Sequence, residues 1–321
     1  MNMPDYSLLL KTRLNSRSDS LDFEKSELRS CFDKAFRLFV ILIIILQLNV
    51  TSAFSQAVGD YRTNGNVQFN TAANWQVFDG TAWVAAAVDP GLGSGVITIR
   101  NGHTATVATS ETLDQLIVEA GGTLRVNNSR NLNIGNGAEA FDLEVYGTVD
   151  NYNNINTAAN PGSAIRFHDN SFYNHRLDGG TIPEATWLTN STCVIMGASS
   201  IFPAGINQIF GNFTWNCPTQ GDDLDINSNL EVRGTFTMAN TGSRYLRVAT
   251  TGSYTMNLGG YTQTGGRLNL AIGGFTCTFN LTGNFSFSGG NFLTSGSGIG
   301  NINFRGTGIQ IFNRTGGSFS N

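Results

Sequence analysis

The chain has 321 residues, 19 Lys and Arg against 23 Asp and Glu, and 38 glycines. Beyond residue 57 there is no lysine, and 12 arginines against 17 acids leave a net charge of −5. Nucleic acid and anionic membrane surfaces both call for clustered Lys and Arg, so neither is expected as a partner.

Residues 1–37 are polar and hold all three lysines, Lys11, Lys25 and Lys34. The apolar run Leu38-Phe-Val-Ile-Leu-Ile-Ile-Ile-Leu-Gln-Leu48 follows, then small and polar residues to Ala57. A basic flank, an apolar run of about 7–15 residues and a small-residue exit predict a secretory signal peptide. Cleavage is expected after Ala57, with Thr51-Ser-Ala53 offering a second exit. A membrane anchor needs about 20 apolar residues, and Gln47, Asn49 and Thr51 interrupt this run. The leader 1–57 therefore predicts a secreted or cell-surface protein with no transmembrane span in the mature chain.

Residues 58–95 read as an N-terminal cap. Asp79-Gly80 lies between the apolar segments around Trp75 and Trp83, a strong hairpin signal, and a solenoid has an open end that must be covered. From Val96 the pattern is short strands of period two: Ile97/Ile99, Leu116/Val118, Leu124/Val126, Leu132/Ile134 and Leu143/Val145. Two segments repeat an apolar-x-apolar strand followed by Gly-Thr, with Gly122 and Gly147 at equivalent places. Self-similarity at a coil-sized period marks a solenoid, in which each unit must stack on a neighbour to bury its apolar face.

The stretch 150–230 is less regular, and Pro161-Gly162, Asp178-Gly-Gly180 and Gly221-Asp-Asp223 suggest longer loops leaving the coil. Regularity returns after Leu230, with Gly266, Gly290 and Gly317 as turn markers. In Phe275-Thr-Cys-Thr-Phe-Asn-Leu281, Thr and Asn are expected to face water and Phe, Cys and Leu the interior. Asn and Thr at equivalent places in successive coils could form hydrogen-bonded ladders. Residues 96–321 thus predict an all-β, right-handed parallel β-helix (β-solenoid) of roughly nine coils at about 4.8 Å each. The final Gly316-Gly-Ser-Phe-Ser-Asn321 reads as an ordinary repeat stump. Exposed strand edges invite aggregation, so the β-helix reads as truncated at this end, or covered there by another chain or domain.

The segments Gly59-Asp-Tyr-Arg62, Asn74-Trp75, Trp83-Val84 and Val96-Ile-Thr-Ile-Arg-Asn-Gly-His103, followed by a Gly-Gly-Thr-Leu coil, carry a resemblance. Over about residues 58–130 the chain resembles secreted β-solenoid surface proteins of gram-negative bacteria that use type IX secretion. The resemblance implies repeats running on to a C-terminal sorting domain, which this sequence does not contain, and implies no catalytic residues.

Carbohydrate-active β-helices that hydrolyse need two carboxylates across a cleft. Asp222, Asp223 and Asp225 form the one dense acidic group. They are candidates for catalysis or for calcium, which takes hard oxygen ligands, although Asp-x-Asp between Gly221 and Ile226 also makes a simple polar turn. His168 and His175 are seven residues apart, and in an extended strand an odd separation puts them on opposite faces. His168 is retained as a catalytic candidate, with Asp169 and Arg166 nearby, and His103 reads as a turn-flanking surface residue. Tyr61, Trp75 and Trp83 are the candidate glycan-binding platform, with the plainer reading that they fill the hairpin's own core.

Cys193, Cys217 and Cys277 read as buried free thiols, although a 24-residue separation would let Cys193 and Cys217 stack on successive coils. No nucleophile-elbow, phosphate-loop or zinc-protease pattern occurs. The functional expectation is a structural or adhesive surface module that binds polysaccharide or cell-surface components, with no cofactor unless calcium. A polysaccharide lyase or hydrolase using carboxylates from 150–230, and a passive spacer for a domain beyond residue 321, are the alternatives.

Overall fold

Alternation of period two decides which side of each strand is buried, and the same alternation carries every coil into register with the next. The computed structural model describes residues 56–157 and 164–320. The leader and signal peptide expected over 1–57 lie outside these residues, apart from Gln56 and Ala57. Among the described residues no helix is long and apolar enough to cross a membrane.

The coils stack in parallel as a β-solenoid. One inward row on what we name the second face runs Val67, Ala105, Leu124, Val149, Tyr173, Cys193, Phe213, Phe236, Tyr261, Phe285, Phe312, each paired with the next. That row marks eleven levels, ten of them within residues 96–321, one more than the roughly nine coils that the pattern predicted there. The cause is a variable coil length. Successive steps along the row are 38, 19, 25, 24, 20, 20, 23, 25, 24 and 27 residues. Of the loops expected in 150–230, Pro161-Gly162 lies outside the described residues, while around Asp178-Gly-Gly180 the two steps are 20 residues each (Tyr173 to Cys193 to Phe213) and the turns are compact. Gly179 and Gly180, both near φ +70°, make one of these turns, a conformation glycine adopts without steric cost.

The first face begins with Tyr61–Thr63 and continues through Ile97–Ile99, Leu116–Val118, Leu143–Val145, Ile165–Phe167 and Thr186–Trp187, all parallel. At its N-terminal edge Tyr61–Thr63 pairs antiparallel with Trp75–Phe78, which pairs antiparallel with Trp83–Ala85. The turn of this hairpin is held by Asp79, whose Oδ1 accepts from the Thr81 and Ala82 amides at 2.8 Å. The third face holds Glu111–Leu113, Asn131–Ile134 and Asn154–Asn156, and resumes later with Leu224–Asp225, Leu246–Ala249, Arg267–Ile272, Asn291–Ser295 and Ser318–Ser320. From Leu230 onward the first two faces share single bent strands, Leu230–Asn240 and Tyr254–Gln263.

The repeated Gly-Thr turns stack as the sequence pattern anticipated. Thr123 pairs with Thr148, and a Cβ on Gly147 would collide with the carbonyl oxygen of Gly122. The corner must therefore stay bare for the coils to close to sheet spacing. Polar ladders are present too: Asn280 Nδ2 donates to Asn257 at 3.0 Å, and Asn303 Nδ2 donates to Asn280 at 3.2 Å. On the third face Asn156 Nδ2 donates to Asn133 at 3.1 Å.

All three described cysteines are free and buried. Cys193 stacks on Phe213, not on Cys217, because the coil there is 20 residues long instead of 24. Burial pushes both the Cys217 and the Cys277 thiols up to about 12, as expected of thiols that act as small hydrophobes.

Candidate functional site

An outward side chain on a solenoid meets its counterparts about 4.8 Å above and below before it meets anything else. Charged groups on this chain therefore first find partners between coils. Asp150 shows the pattern. Its Oδ1 accepts from Asn174 Nδ2 at 2.9 Å and Arg176 Nε at 3.0 Å, and its Oδ2 accepts from Arg125 Nη2 at 3.3 Å. Burial alone would raise this carboxyl, but these donors outweigh it and hold the group below the usual carboxylate range.

The acidic group singled out in the sequence has the same arrangement. Arg247, one coil on, reaches Asp225 through Nε and through Nη2 at 3.0 Å, and reaches Asp223 through Nη1 at 3.3 Å. Asp223 Oδ1 also accepts the Tyr245 amide at 2.9 Å. Asp222 is exposed, and its backbone carbonyl accepts from Gln220 at 2.9 Å. The three carboxylates thus divide between an inter-coil clamp and solvent. No three His, Cys, Asp or Glu side chains among the described residues are grouped as metal ligands would be.

The two histidines part because a turn at Asp169 and Asn170, not one extended strand, separates them. His168 faces outward, its Nε2 2.7 Å from Glu144 Oε2, with the Tyr146 ring stacked on it at 3.8 Å and 15°. Arg166, in register with Glu144, lies over the Phe141 ring at 3.5 Å. Burial and the nearby Glu144 carboxylate raise the Tyr146 hydroxyl above its ordinary value. His175 is fully buried: Nδ1 lies 3.1 Å from Tyr173 Oη and Nε2 lies 2.7 Å from the Gly179 carbonyl. The grouping of Glu144, Tyr146, Arg166 and His168 did not emerge from sequence reasoning. It needs the 22-residue register that pairs Glu144 with Arg166.

His103 is half-buried and tied to the first coil, with Nδ1 2.8 Å from Thr63 Oγ1. Tyr61 and Trp75 are 8% and 1% exposed and meet edge to face at 6.5 Å, with Phe69 packed on Trp75 at 5.3 Å. Both rings are packed inside the first coil. Trp83 is half-buried with the Arg62 guanidinium over its ring at 4.3 Å. The structure does not bring the three rings into one exposed face.

Beside them opens a cleft of about 630 Å³, lined among others by Asn66, Gln68, Asn74, Thr104, Thr106 and Arg125. Asn66 is fixed from both sides, since its Oδ1 accepts the Thr104 amide at 2.8 Å and its carbonyl accepts from Asn74 Nδ2 at 3.1 Å. The cleft is open to solvent, and its lining offers amides, hydroxyls and one guanidinium. No family model, no curated protein and no solved structure matches the chain.

Proposed function

We propose that the protein is a secreted, cell-surface β-helical module with a structural or adhesive role, which contacts glycans through the cleft beside its first coils. The β-solenoid supplies a rigid support in which each level is fixed by its neighbours. The observation that carries the reading is the cleft itself, lined by Asn66 and Asn74, which are tied to each other, and by Gln68, Thr104 and Thr106, the amides and hydroxyls that sugar hydroxyls pair with. The signal-peptide pattern over 1–57 and the resemblance to type IX-secreted surface proteins support the location. In this reading the solenoid is right-handed and the Trp75–Phe78 and Trp83–Ala85 hairpin covers its N-terminal end.

A second reading, a carbohydrate-active enzyme, is favoured by one observation, the His168–Glu144 pair beside Tyr146 and Arg166. In that case His168 and Glu144 would exchange a proton with substrate on the outer face. The test is to mix the purified secreted protein with a panel of neutral and acidic polysaccharides, with and without calcium. Retention on the polymer and new reducing ends are followed together. Retention without cleavage, reduced at least tenfold by Gln68→Ala with Thr106→Ala, is the expected result. New reducing ends abolished by His168→Gln would replace the module reading with the enzymatic one.

A further inference from the structure

After Glu231 the sequence contains no Asp and no Glu, while Arg233, Arg244, Arg247, Arg267, Arg305 and Arg314 remain. Arg247 is neutralised by Asp223 and Asp225. Arg267 lies over the Tyr245 ring, and Arg314 donates to the Gly316 and Gly317 carbonyls. Arg233 and Arg305 are exposed, and among the described residues their guanidinium groups have no ion-pair or hydrogen-bond partner. Both line one cleft of about 370 Å³, on the opposite half of the solenoid from the cleft beside Thr104.

The register explains the shape of this cleft. Val232 pairs with Leu258, Leu258 with Leu281, and Leu281 with Phe304. The residues that follow these four form the row Arg233, Gly259, Thr282, Arg305. At about 4.8 Å per level the two guanidinium groups arise three levels apart, roughly 14 Å. Gly259 has no side chain and Thr282 a short one, so the floor between the arginines is low. Alongside runs the row Glu231, Asn257, Asn280, Asn303, in which the asparagine amides are held by one another. The cleft lining therefore carries two guanidinium groups and one carboxylate, Glu231, with amide and hydroxyl groups between the arginines.

We infer that this row is a second glycan site, which takes an extended acidic polysaccharide of the polyuronate class. Arg binds carboxylates through paired donors in a fixed fork. Two such forks separated by a polar floor fit a polymer that presents carboxylates at intervals with hydroxyls between them. A lone small anion would engage one arginine and leave the row unused. The inference goes beyond the module reading and does not depend on the Thr104 cleft.

The test uses the full secreted chain and three probes: polygalacturonate, neutral dextran and single-stranded DNA. Retention on polygalacturonate is expected, weakening as salt rises because exposed charges are screened. Arg233→Ala with Arg305→Ala should weaken that retention at least tenfold with an unchanged circular dichroism spectrum. Arg244→Ala, an exposed arginine outside the cleft, should leave it unaltered. Equal weakening by Arg244→Ala would reduce the effect to general charge and overturn the site. Equal retention on single-stranded DNA, or no retention on polygalacturonate by a folded sample, would also overturn it. Dextran retention lost with Gln68→Ala and Thr106→Ala, but with no polygalacturonate retention, would keep the module reading while removing this one.

Discussion

Between Ile97 and Ile165 the first-face interior is aliphatic, with Leu116 on Ile97, Leu143 on Leu116 and Ile165 on Leu143. From Phe213 onward the second-face interior is a column of rings, Phe213, Phe236, Tyr261 and Phe285, on which the exposed Phe312 stacks last, with centroids 5.0 to 5.7 Å apart. Both regions are parallel ladders, so the pairing does not dictate the filling. What changes is how the turns are satisfied. In the ring-filled region buried glutamines clamp one coil to the next. Gln220 accepts from Trp215 Nε1 at 3.0 Å and donates to the Tyr245 carbonyl at 2.9 Å. Gln263 accepts from Tyr261 Oη at 2.7 Å and donates to the carbonyls of Gly265, Gly266 and Asn291. Rings fill width and hydrophobic volume, while a long amide reaches turn carbonyls that water cannot. In the aliphatic region short buried side chains serve instead, and as acceptors: Asp142 Oδ2 accepts the Ala164 amide at 2.8 Å and Thr63 Oγ1 the Arg100 amide at 3.0 Å.

The largest effect that tests this contrast is the loss of a ring from the column. Phe236→Ala is expected to cost about 3–5 kcal/mol, since it empties a fully buried site and breaks ring contacts with Phe213 and Tyr261. Leu124→Ala, two to three coils into the aliphatic half of the same row, should fall toward the lower end of about 2–5 kcal/mol. Ring pairs add about 0.5–1.5 kcal/mol beyond area. Urea titration read by hydrogen exchange in each half would separate the two, because long repeat arrays do not always unfold as one unit. Equal losses would show that the rings act by volume alone.

Next in size is the glutamine clamp. Gln263→Leu keeps a side chain of similar size but leaves buried carbonyls and the Tyr261 hydroxyl without partners, at about 1–3 kcal/mol for each group so stranded. A net loss of about 3 kcal/mol is expected, part of it returned by Tyr261→Phe in the same chain, since removing both partners is far cheaper than removing one. A double-mutant cycle on urea midpoints measures this. Strict additivity would mean that the amide and the hydroxyl do not act as a pair.

The fold was legible because its signals are local. Alternation in Thr276–Leu281 and the stacked glycines at Gly122 and Gly147 need no long-range knowledge, and both appear in the structure. The buried cysteines were read for the same reason. Coil number was not legible, because step length varies from 19 to 27 residues beyond the hairpin and turn signals do not reveal which coils are short. That variation also hid the outward sites. Whether Glu144 meets His168, or Arg233 shares a row with Arg305, depends on summed coil lengths, and an error of one residue turns every side chain to the other face. The aspartates at 222, 223 and 225 stood out in sequence for their density, yet their partner Arg247 lies 22 residues from Asp225.

The smallest effect concerns acid, and it sets the coils around His175 against those after Glu231. Titratable groups with depressed values lie in the N-terminal part: burial lowers His175 below its ordinary 6.5. Asp150 and Asp178 are held below 3.8, where donors outweigh burial; for Asp178 these are the amides of Ser199, Ile201 and Ser200. The region after Glu231 has no acid and no histidine. For His175 the folded value lies below the unfolded one, so its contribution is complete above about pH 6.5 and declines as pH falls, because the unfolded chain takes up the proton first. The two aspartates follow the same sign but begin to act only below about pH 3.8. No single group can contribute more than about 1.4 kcal/mol per pH unit. Hydrogen exchange at pH 7.5 and 5.5 should therefore show protection falling around Phe172–His175, while Thr276–Leu281 holds after correction for intrinsic exchange. His175→Gln, which keeps an amide able to reach Tyr173 and the Gly179 carbonyl, should flatten that difference. Equal loss of protection in both strands would mean that the coils open as a single unit, and that the contrast between the two interiors does not extend to their stability.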